Sequence, residues 1–416
     1  MGFMRTDPGL ARELLDFYED LHRHPELSLQ EHRTARRITE AIAPLDLDVT
    51  TEVGGTGIVA VLRNGAGPTV MIRADIDALP VEEKTGLSYA STARGRDHYG
   101  NDVPIAHACG HDMHATCLVG ALRVLKEVSG SWSGTVVAVF QPAEELLRGA
   151  KDMIADGLFE RFPRPDIVLG QHVVPLPAGV IGYCLGPTLA AIDSADVRLY
   201  GRGGHGSRPE STIDPVVLAA SIVMRLQGVV AREVPASETA VVTVGRLHAG
   251  TKDNVIPDDA ELGINIRTYS SDVRLRVIEA VERIIRGEAA ASGVEREPDI
   301  DWHLSGPALH SDPDATIRTV AAFTELFGAE RVVLRPPMTA SEDVGHYGTE
   351  LGVPTVFWLW GGGDPELFAR AAAAGRLDQD VPFNHSPKFA PTPQPTLDTG
   401  VEALVTAALT WLEARG

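Results

Sequence analysis

The chain has 416 residues, 44 % of them hydrophobic, and 37 Lys and Arg against 57 Asp and Glu give a net charge of −20. That length exceeds one compact core and points to two domains. The acidic balance excludes an electrostatic footprint for nucleic acid or for an anionic membrane surface, since both need basic patches.

The N-terminus, MGFMRTDPGLARELLDFYED, is charged and lacks a continuous apolar stretch, so no signal peptide is expected. No uncharged apolar run is long enough to span a bilayer. Cys109, Cys117 and Cys184 are the only cysteines, an odd, sparse set that is no disulfide framework. Such thiols fit a reducing compartment, and a cytoplasmic location is expected.

Taken in chain order, Pro8 opens a helix-period segment that stops at Pro25, and Glu31 to Ile42 reads as a second helix. TGIVAVLRN and GPTVMIRADID read as strands divided by Gly-Ala-Gly-Pro. After HACGHDMH comes an apolar helix, ATCLVGALRVLKEV. GTVVAVFQPAEE is a buried strand with a polar tail, RGAKDMIADGLF is helical, and PDIVLGQHV is another buried strand. Alternating strands and helices with continuously apolar strands predict an α/β layer with a mostly parallel sheet and helices on both faces. Sites in such sheets form at the carboxyl ends of strands, and ADID, QPAEE and GQH fall at that edge.

From about Ile192 the pattern changes to half-exposed strands. IDSADVRLY, ETAVVTVGRLHAG, DDAELGINIRTY and REPDIDWHLS are strands, with DPVVLAASIVMRLQGVVARE and DVRLRVIEAVERIIRGEAAASG as helices. The order βαββαβ predicts an inserted ferredoxin-like domain. The expected division is residues 1–187 and 305–416 for a discontinuous catalytic domain and 188–304 for the insertion. The α/β pattern resumes with DATIRTVAAFTELFG, VPTVFWLWGG and a closing helix that runs to residue 416. Residues 361–380, rich in Gly and Ala, read as a mobile surface stretch.

Cys109 and His111 sit two apart in a glycine-containing turn at a helix start. Thiolate and imidazole suit a divalent metal of borderline softness. Taken alone the turn is a weak signal. Glu144 and Glu145 could equally be a solvated helix N-terminus, and His172 a core histidine bonded to backbone. His385, in FNHSP, is a further candidate. Together, Cys109, His111, Glu145, His172 and His385 make five donors. A pair of divalent ions sharing a bridging ligand and a water would use all five. Zinc, manganese, cobalt or nickel all suit this donor set. The metals would polarise a carbonyl and acidify the bound water, giving a metal-bound hydroxide. Glu144, adjacent to a ligand, would move the proton as general acid/base.

ADIDALPVEEKTG, HACGHDMHAT, QPAEE, GGHGSRPE, NVIP and SEDVGHY occur in the order seen in the M20 metallopeptidases. The chain most resembles the amidohydrolase branch that holds hippurate hydrolases, indoleacetyl-amino-acid hydrolases and N-acyl-amino-acid amidohydrolases, from about Leu14 to the C-terminus. The resemblance implies a two-metal hydrolase whose inserted domain is a lid that also forms a homodimer. It makes Cys109 the bridging ligand, with His111, Glu145, His172 and His385 as terminal ligands and Glu144 as the acid/base. Asp77 matches a carboxylate that orients a ligand, and Asp75 is left in support. His205 matches a histidine brought into the neighbouring subunit's site to stabilise the oxyanion. Asn254 and Arg267 match groups that bind the substrate carboxylate or developing charge, a task suited to a guanidinium. Glu210 and Val344 depart from the residues usual in relatives, which bears on the substrate rather than the chemistry. His22, His24, His32, His98, His107, His114 and His248 receive no role.

The implied reaction is hydrolysis of the amide bond of a small N-acyl amino acid. A di- or carboxypeptidase of the same fold stands beside it. A non-catalytic binding protein would be expected to lack Glu144 or a ligand. A hydrolase using Cys109 as nucleophile would not need Glu145, His172 and His385 together.

Overall fold

The computed structural model describes residues 8–414. The start of the N-terminal stretch read for a signal, and Arg415 and Gly416 of the expected closing helix, lie outside them; the helix itself ends at Trp411. The chain divides into two compact units. The first runs to Thr188 and takes up His310–Pro336 and the chain from Asp343 on; the second comprises Leu189–Leu309 and Pro337–Glu342.

The first unit is built on helices α1 (Pro8–Arg23), α2 (His32–Ile42) and α3 (His111–Glu127) and strands β1 (Asp48–Val53), β2 (Gly57–Asn64), β3 (Thr69–Asp75), β4 (Trp132–Gln141), β5 (Ile167–Pro177) and β6 (Ile181–Tyr183). In the second unit lie β7 (Ala191–Tyr200), α4 (Pro215–Glu233), β8 (Ala240–Ala249), β9 (Asp259–Thr268), α5 (Ser271–Ala291) and β10 (Asp299–Gly306). The first unit then resumes with α6 (Pro313–Phe327), β11 (Val332–Leu334), β12 (Thr355–Gly363), α7 (Pro393–Trp411) and β13 (Glu413–Ala414).

The large sheet has nine strands in the order β1-β2-β4-β3-β5-β12-β6-β11, with β13 paired to β4. Its centre, β4-β3-β5-β12, is parallel, and antiparallel strands flank it. Strand β2 is buried over Gly57–Leu62 and β3 over Val70–Asp75, as strands covered on both faces must be. Helix α3 is buried on nearly every side. Its neighbours approach closely because small residues stand at the contacts. A Cβ on Gly120 would lie 2.7 Å from both Leu14 and Val401 side chains, and one on Gly400 would lie 2.5 Å from Cys117 Sγ.

The second unit has a four-stranded antiparallel sheet in the order β8-β9-β7-β10. Helices α4 and α5 bury Leu218, Ile222, Leu226, Val277, Val281 and Ile285 in one core with Leu199, Leu262 and Ile264. By length and mean hydropathy alone, α4 is apolar enough to cross a membrane. Arg225 breaks its uncharged run, and Leu218, Ala219, Ile222, Leu226 and Val229 are spent on this core.

Among the described residues, three helices are capped by an aspartate that precedes a proline. Asp214, Asp312 and Asp364 cap α4, α6 and a helix at Pro365–Ala373, each with proline at the first turn. Aspartate accepts otherwise orphaned amides, and proline has none to leave unpaired. This corrects the expectation for residues 361–380. They form the end of β12 and the helices Pro365–Ala373 and Leu377–Asp380. The alanines read as loose filler are helix formers behind a good cap.

Candidate metal centre

Parallel pairing of β3 with β4 and with β5 sets their carboxyl ends side by side. Asp75 ends β3 and Asp77 follows it; the turn Pro142–Glu145 follows β4; His172 lies within β5. Cys109 and His111 flank Gly110, which has φ 84° and precedes the first residue of α3. A side chain there would be strained, and its Cβ would meet Val173 Cγ1 at 2.4 Å. The glycine thus lets the turn press against β5.

The turn brings Cys109 Sγ to 3.4 Å from His172 Nε2. His111 Nε2 lies 3.8 Å from Glu145 Oε1, 3.9 Å from Glu144 Oε2 and 3.7 Å from Asp75 Oδ2. His385 Nε2 is 3.4 Å from Glu145 Oε1. Its backbone amide donates to Ala108 O at 2.7 Å, and its φ of 70° is unusual for a side chain of this size. All five predicted donors therefore gather in the first unit, and ligand atoms of Cys109, His111 and Glu145 lie within 4.8 Å of one another.

The tautomers separate lone pairs that are free from those already used. His111 Nδ1 donates to Asp77 Oδ1 at 3.1 Å, and its buried Nε2 makes no hydrogen bond. His172 Nδ1 donates to Val173 O at 2.8 Å, leaving the Nε2 lone pair toward Cys109. His114 also lies within 4.8 Å of Asp75, His111 and His172. Its Nδ1, however, is bound to Asp75 at 2.5 Å, and its Nε2 accepts from Val173 N at 2.9 Å. His114 thus has no lone pair left to give.

The electrostatics make His111 and His385 strong bases and His172 a weak one. Burial alone would depress His111, but Asp75 and then Cys109 hold it well above its ordinary value. His385 is pushed up to about 10 by Cys109 and then Glu145. Burial, then His114, holds His172 well below its usual value, so it is neutral. Burial followed by the charge of Glu145 pushes the Cys109 thiol up. Carboxylates, a thiol and imidazoles converge, buried or half-buried apart from the exposed His385, with too little fixed positive charge among them. A divalent cation fits that need, because it deprotonates a coordinating thiol and takes the open imidazole lone pair.

Further groups hold this cluster in place. Asp77 is buried and accepts from Ser28 Oγ at 2.7 Å and Glu145 N at 3.0 Å, besides His111. Arg73 binds Asp75 at 2.6 Å and Asp343 at 3.0 Å, and Asp343 takes Gln141 Nε2 at 2.7 Å and Ala150 N at 3.0 Å. Asn384 Nδ2 donates to Cys109 O at 3.2 Å and Val173 O at 3.1 Å, tying two ligand-bearing segments together. Sequence reasoning missed Ser28, Arg73, Gln141 and Asn384. Arg73, Gln141 and Asn384 lay in or beside the quoted stretches, whereas Ser28 carried no such signal.

In the second unit, His205 is exposed and pairs in a short ladder with Val255, and Gly206 N donates to Asn254 O at 2.9 Å. Ser207 Oγ lies 2.8 Å from His205 Nδ1, and Ser207 N donates to the same nitrogen at 3.1 Å. Arg267 lies on β9, half-buried, donating to Asn265 Oδ1 at 3.1 Å and Ser341 Oγ at 2.6 Å. Sequence neighbours thus hold His205 and Asn254 together, and Arg267 stands on a sheet strand.

Residues 71–373 match peptidase family M20/M25/M40. An N-acetyl-L-cysteine deacetylase of Bacillus subtilis is 35 % identical over 342 residues, 81 % of this chain and 78 % of the relative. A hippurate hydrolase of Campylobacter jejuni is 36 % identical over 349 residues, 82 % of this chain and 88 % of the relative. The crystal structure of a dinuclear metal binding peptidase of the M20 family from Bacillus subtilis superposes with a TM-score of 0.77 at 28 % identity, covering 97 % of this chain and 100 % of that one.

Proposed function

Because the chain belongs to peptidase family M20/M25/M40, we propose that it is a metal-dependent amidohydrolase that cleaves N-acyl amino acids into a carboxylate and a free amino acid. The observation that carries this reading is the buried His111 Nε2, without a hydrogen bond, facing Glu144 and Glu145 beside Cys109.

Cys109, His111, Glu145, His172 and His385 would hold divalent metal, which would supply Lewis acidity toward a water and the scissile carbonyl when bound. Glu144, buried at the cluster's edge, takes the proton from the attacking water and delivers it to the leaving nitrogen. Asp77 keeps His111 in the tautomer that leaves Nε2 open.

In the second unit, the four strands and two helices form a ferredoxin-like lid and dimerisation domain, whose last strand runs to Gly306, past the expected boundary at residue 304. His205 accepts at Nδ1, which leaves Nε2–H as a donor for the oxyanion of the partner subunit's site. Arg267 and Asn254 bind the substrate carboxylate. Exposed Val217 and Met224, seven residues apart on α4, supply apolar surface for a second copy. Three unpaired cysteines fit a cytoplasmic location. A di- or carboxypeptidase is the second reading, favoured by the structural neighbour described as a peptidase.

The test is a screen of acetyl-, benzoyl- and indoleacetyl-amino acids and of dipeptides against protein loaded with each metal in turn. Acyl amino acids are expected as substrates, and Glu144→Ala should abolish turnover while metal content survives. Equal loss of metal in that variant would reverse the roles of the two glutamates. Dipeptides as the preferred substrates would install the second reading.

A further inference from the structure

The segment HPELSLQEH, between α1 and α2, carries a buried carboxylate that none of the roles above uses. Glu31 has no exposed surface. Its Oε1 accepts from Ala143 N at 2.9 Å, and its Oε2 accepts from Thr56 Oγ1 at 2.6 Å. On the other side of Glu144, the amide of Glu145 donates to Asp77 Oδ2 at 3.0 Å. The amides flanking Glu144 are thus each fixed by a different buried carboxylate.

The turn needs this fixing. Ala143 has φ 49° and Leu147 φ 50°, a left-handed conformation that side chains disfavour. Its closure is tight: Leu147 N donates to Glu144 O at 2.6 Å and Gly149 N to Ala143 O at 3.2 Å. A Cβ on Gly149 would lie 1.7 Å from Pro142 O. Ala143 is fully buried. Without an acceptor its amide would be orphaned in the interior, and the turn would relax toward right-handed backbone. That would re-aim both glutamates.

We propose that Glu31 is a positioning residue of the metal centre, holding the Ala143–Glu145 turn through the Ala143 amide so that Glu145 meets the metal and Glu144 the reacting atoms. Ser28, in the same segment, acts in parallel by fixing Asp77 through the bond at 2.7 Å. Burial, with the charge of Asp77 adding to it, pushes the Glu31 carboxyl up to about 7. Either protonation state accepts the amide, so a neutral isostere should serve.

The inference rests on Glu145 being a ligand, and its test is chosen to separate the two. Cobalt(II) is titrated into metal-stripped wild type, Glu31→Ala, Glu31→Asp and Glu31→Gln and followed by visible absorption; turnover and unfolding midpoints are measured on the same loaded proteins. Outer partners of metal sites typically alter affinity or activity by about 10–100-fold. Glu31→Ala and Glu31→Asp should lose cobalt affinity and kcat in that range with KM little changed, and Glu31→Gln should restore most of both. Glu31→Asp keeps the charge but withdraws the carboxylate, so it serves if the alanine variant does not fold.

A merely structural glutamate would lower the unfolding midpoint and leave cobalt affinity and kcat of the folded protein alone. That outcome in Glu31→Asp overturns the proposal. So does a Glu31→Gln variant as impaired as Glu31→Ala, which would make the charge, not the hydrogen bond, the active feature. Failure of wild type to bind cobalt would instead remove the metal assignment itself.

Discussion

His22 has no contact with the donors of the metal centre, yet it should set the alkaline limit of stability. The ring is 1 % exposed, with Nδ1 2.6 Å from Asp112 and Nε2 3.1 Å from Glu83. Burial alone would depress it, but Asp112 and then Glu83 override burial and raise it from 6.5 to about 9. The neighbours do not titrate in that interval. Burial holds His107 down to about 4 and pushes Tyr89 up to about 12 and Tyr18 well above its usual value. Asp112 and Glu83 are both lowered and stay ionised. A base whose folded value lies above its unfolded one contributes fully below the unfolded value, here 6.5, and loses that contribution as pH climbs through about 9. At roughly 1.4 kcal/mol per unit, the loss is about 3 kcal/mol. In His22→Gln the pair of carboxylates lacks its cation at every pH, which destabilises by about 3–5 kcal/mol. Urea unfolding of the metal-loaded proteins from pH 6 to 10, with bound metal keeping His111 and His385 deprotonated, reads the difference directly. The two stability curves should converge by about 3 kcal/mol across the window. Parallel curves would refute the assignment of that cation to His22.

Two further outcomes test the ligand set and the core. Cys109 should react with a thiol reagent in metal-stripped protein and be protected when metal is restored, while Cys117 and Cys184, both buried, should react slowly throughout; equal rates for Cys109 in both states would mean its thiolate binds no metal. Gly400→Ala places a Cβ 2.5 Å from Cys117 Sγ and 3.1 Å from Trp360 Nε1, and should cost about 1–3 kcal/mol by overpacking. Gly228→Ala on α4, where nothing lies within 4 Å of the added carbon, should instead gain up to about 1 kcal/mol from helix propensity. Unfolding midpoints that moved the same way in both would separate neither effect from the other and would remove the packing argument.

Local chemistry made much of this protein legible in one dimension. Apolar runs in β3, β4 and β5 marked buried parallel strands because both faces are covered, and the period of α5 marked a helix lying on a sheet. Cys109, His111, Glu145, His172 and His385 became candidate donors through residue type together with their places in turns and at strand ends, each a weak signal alone. Asp-Pro at residue 364 was an equally local signal for a helix start, overlooked behind a run of alanines.

The fold alone decided which lone pairs were free. His111 and His114 lie three residues apart in one motif, yet His114 spends both nitrogens on Asp75 and Val173 while His111 keeps one open. No spacing rule separates them, because Asp75 and the Val173 amide arrive from β3 and β5. For the same reason Glu31 could not be picked out of QEHRT: its partner Ala143 is 112 positions away. Sequence fixes which groups a chain can offer within a turn or two, whereas the partner that uses up a donor or acceptor comes from whichever strand the sheet sets beside it.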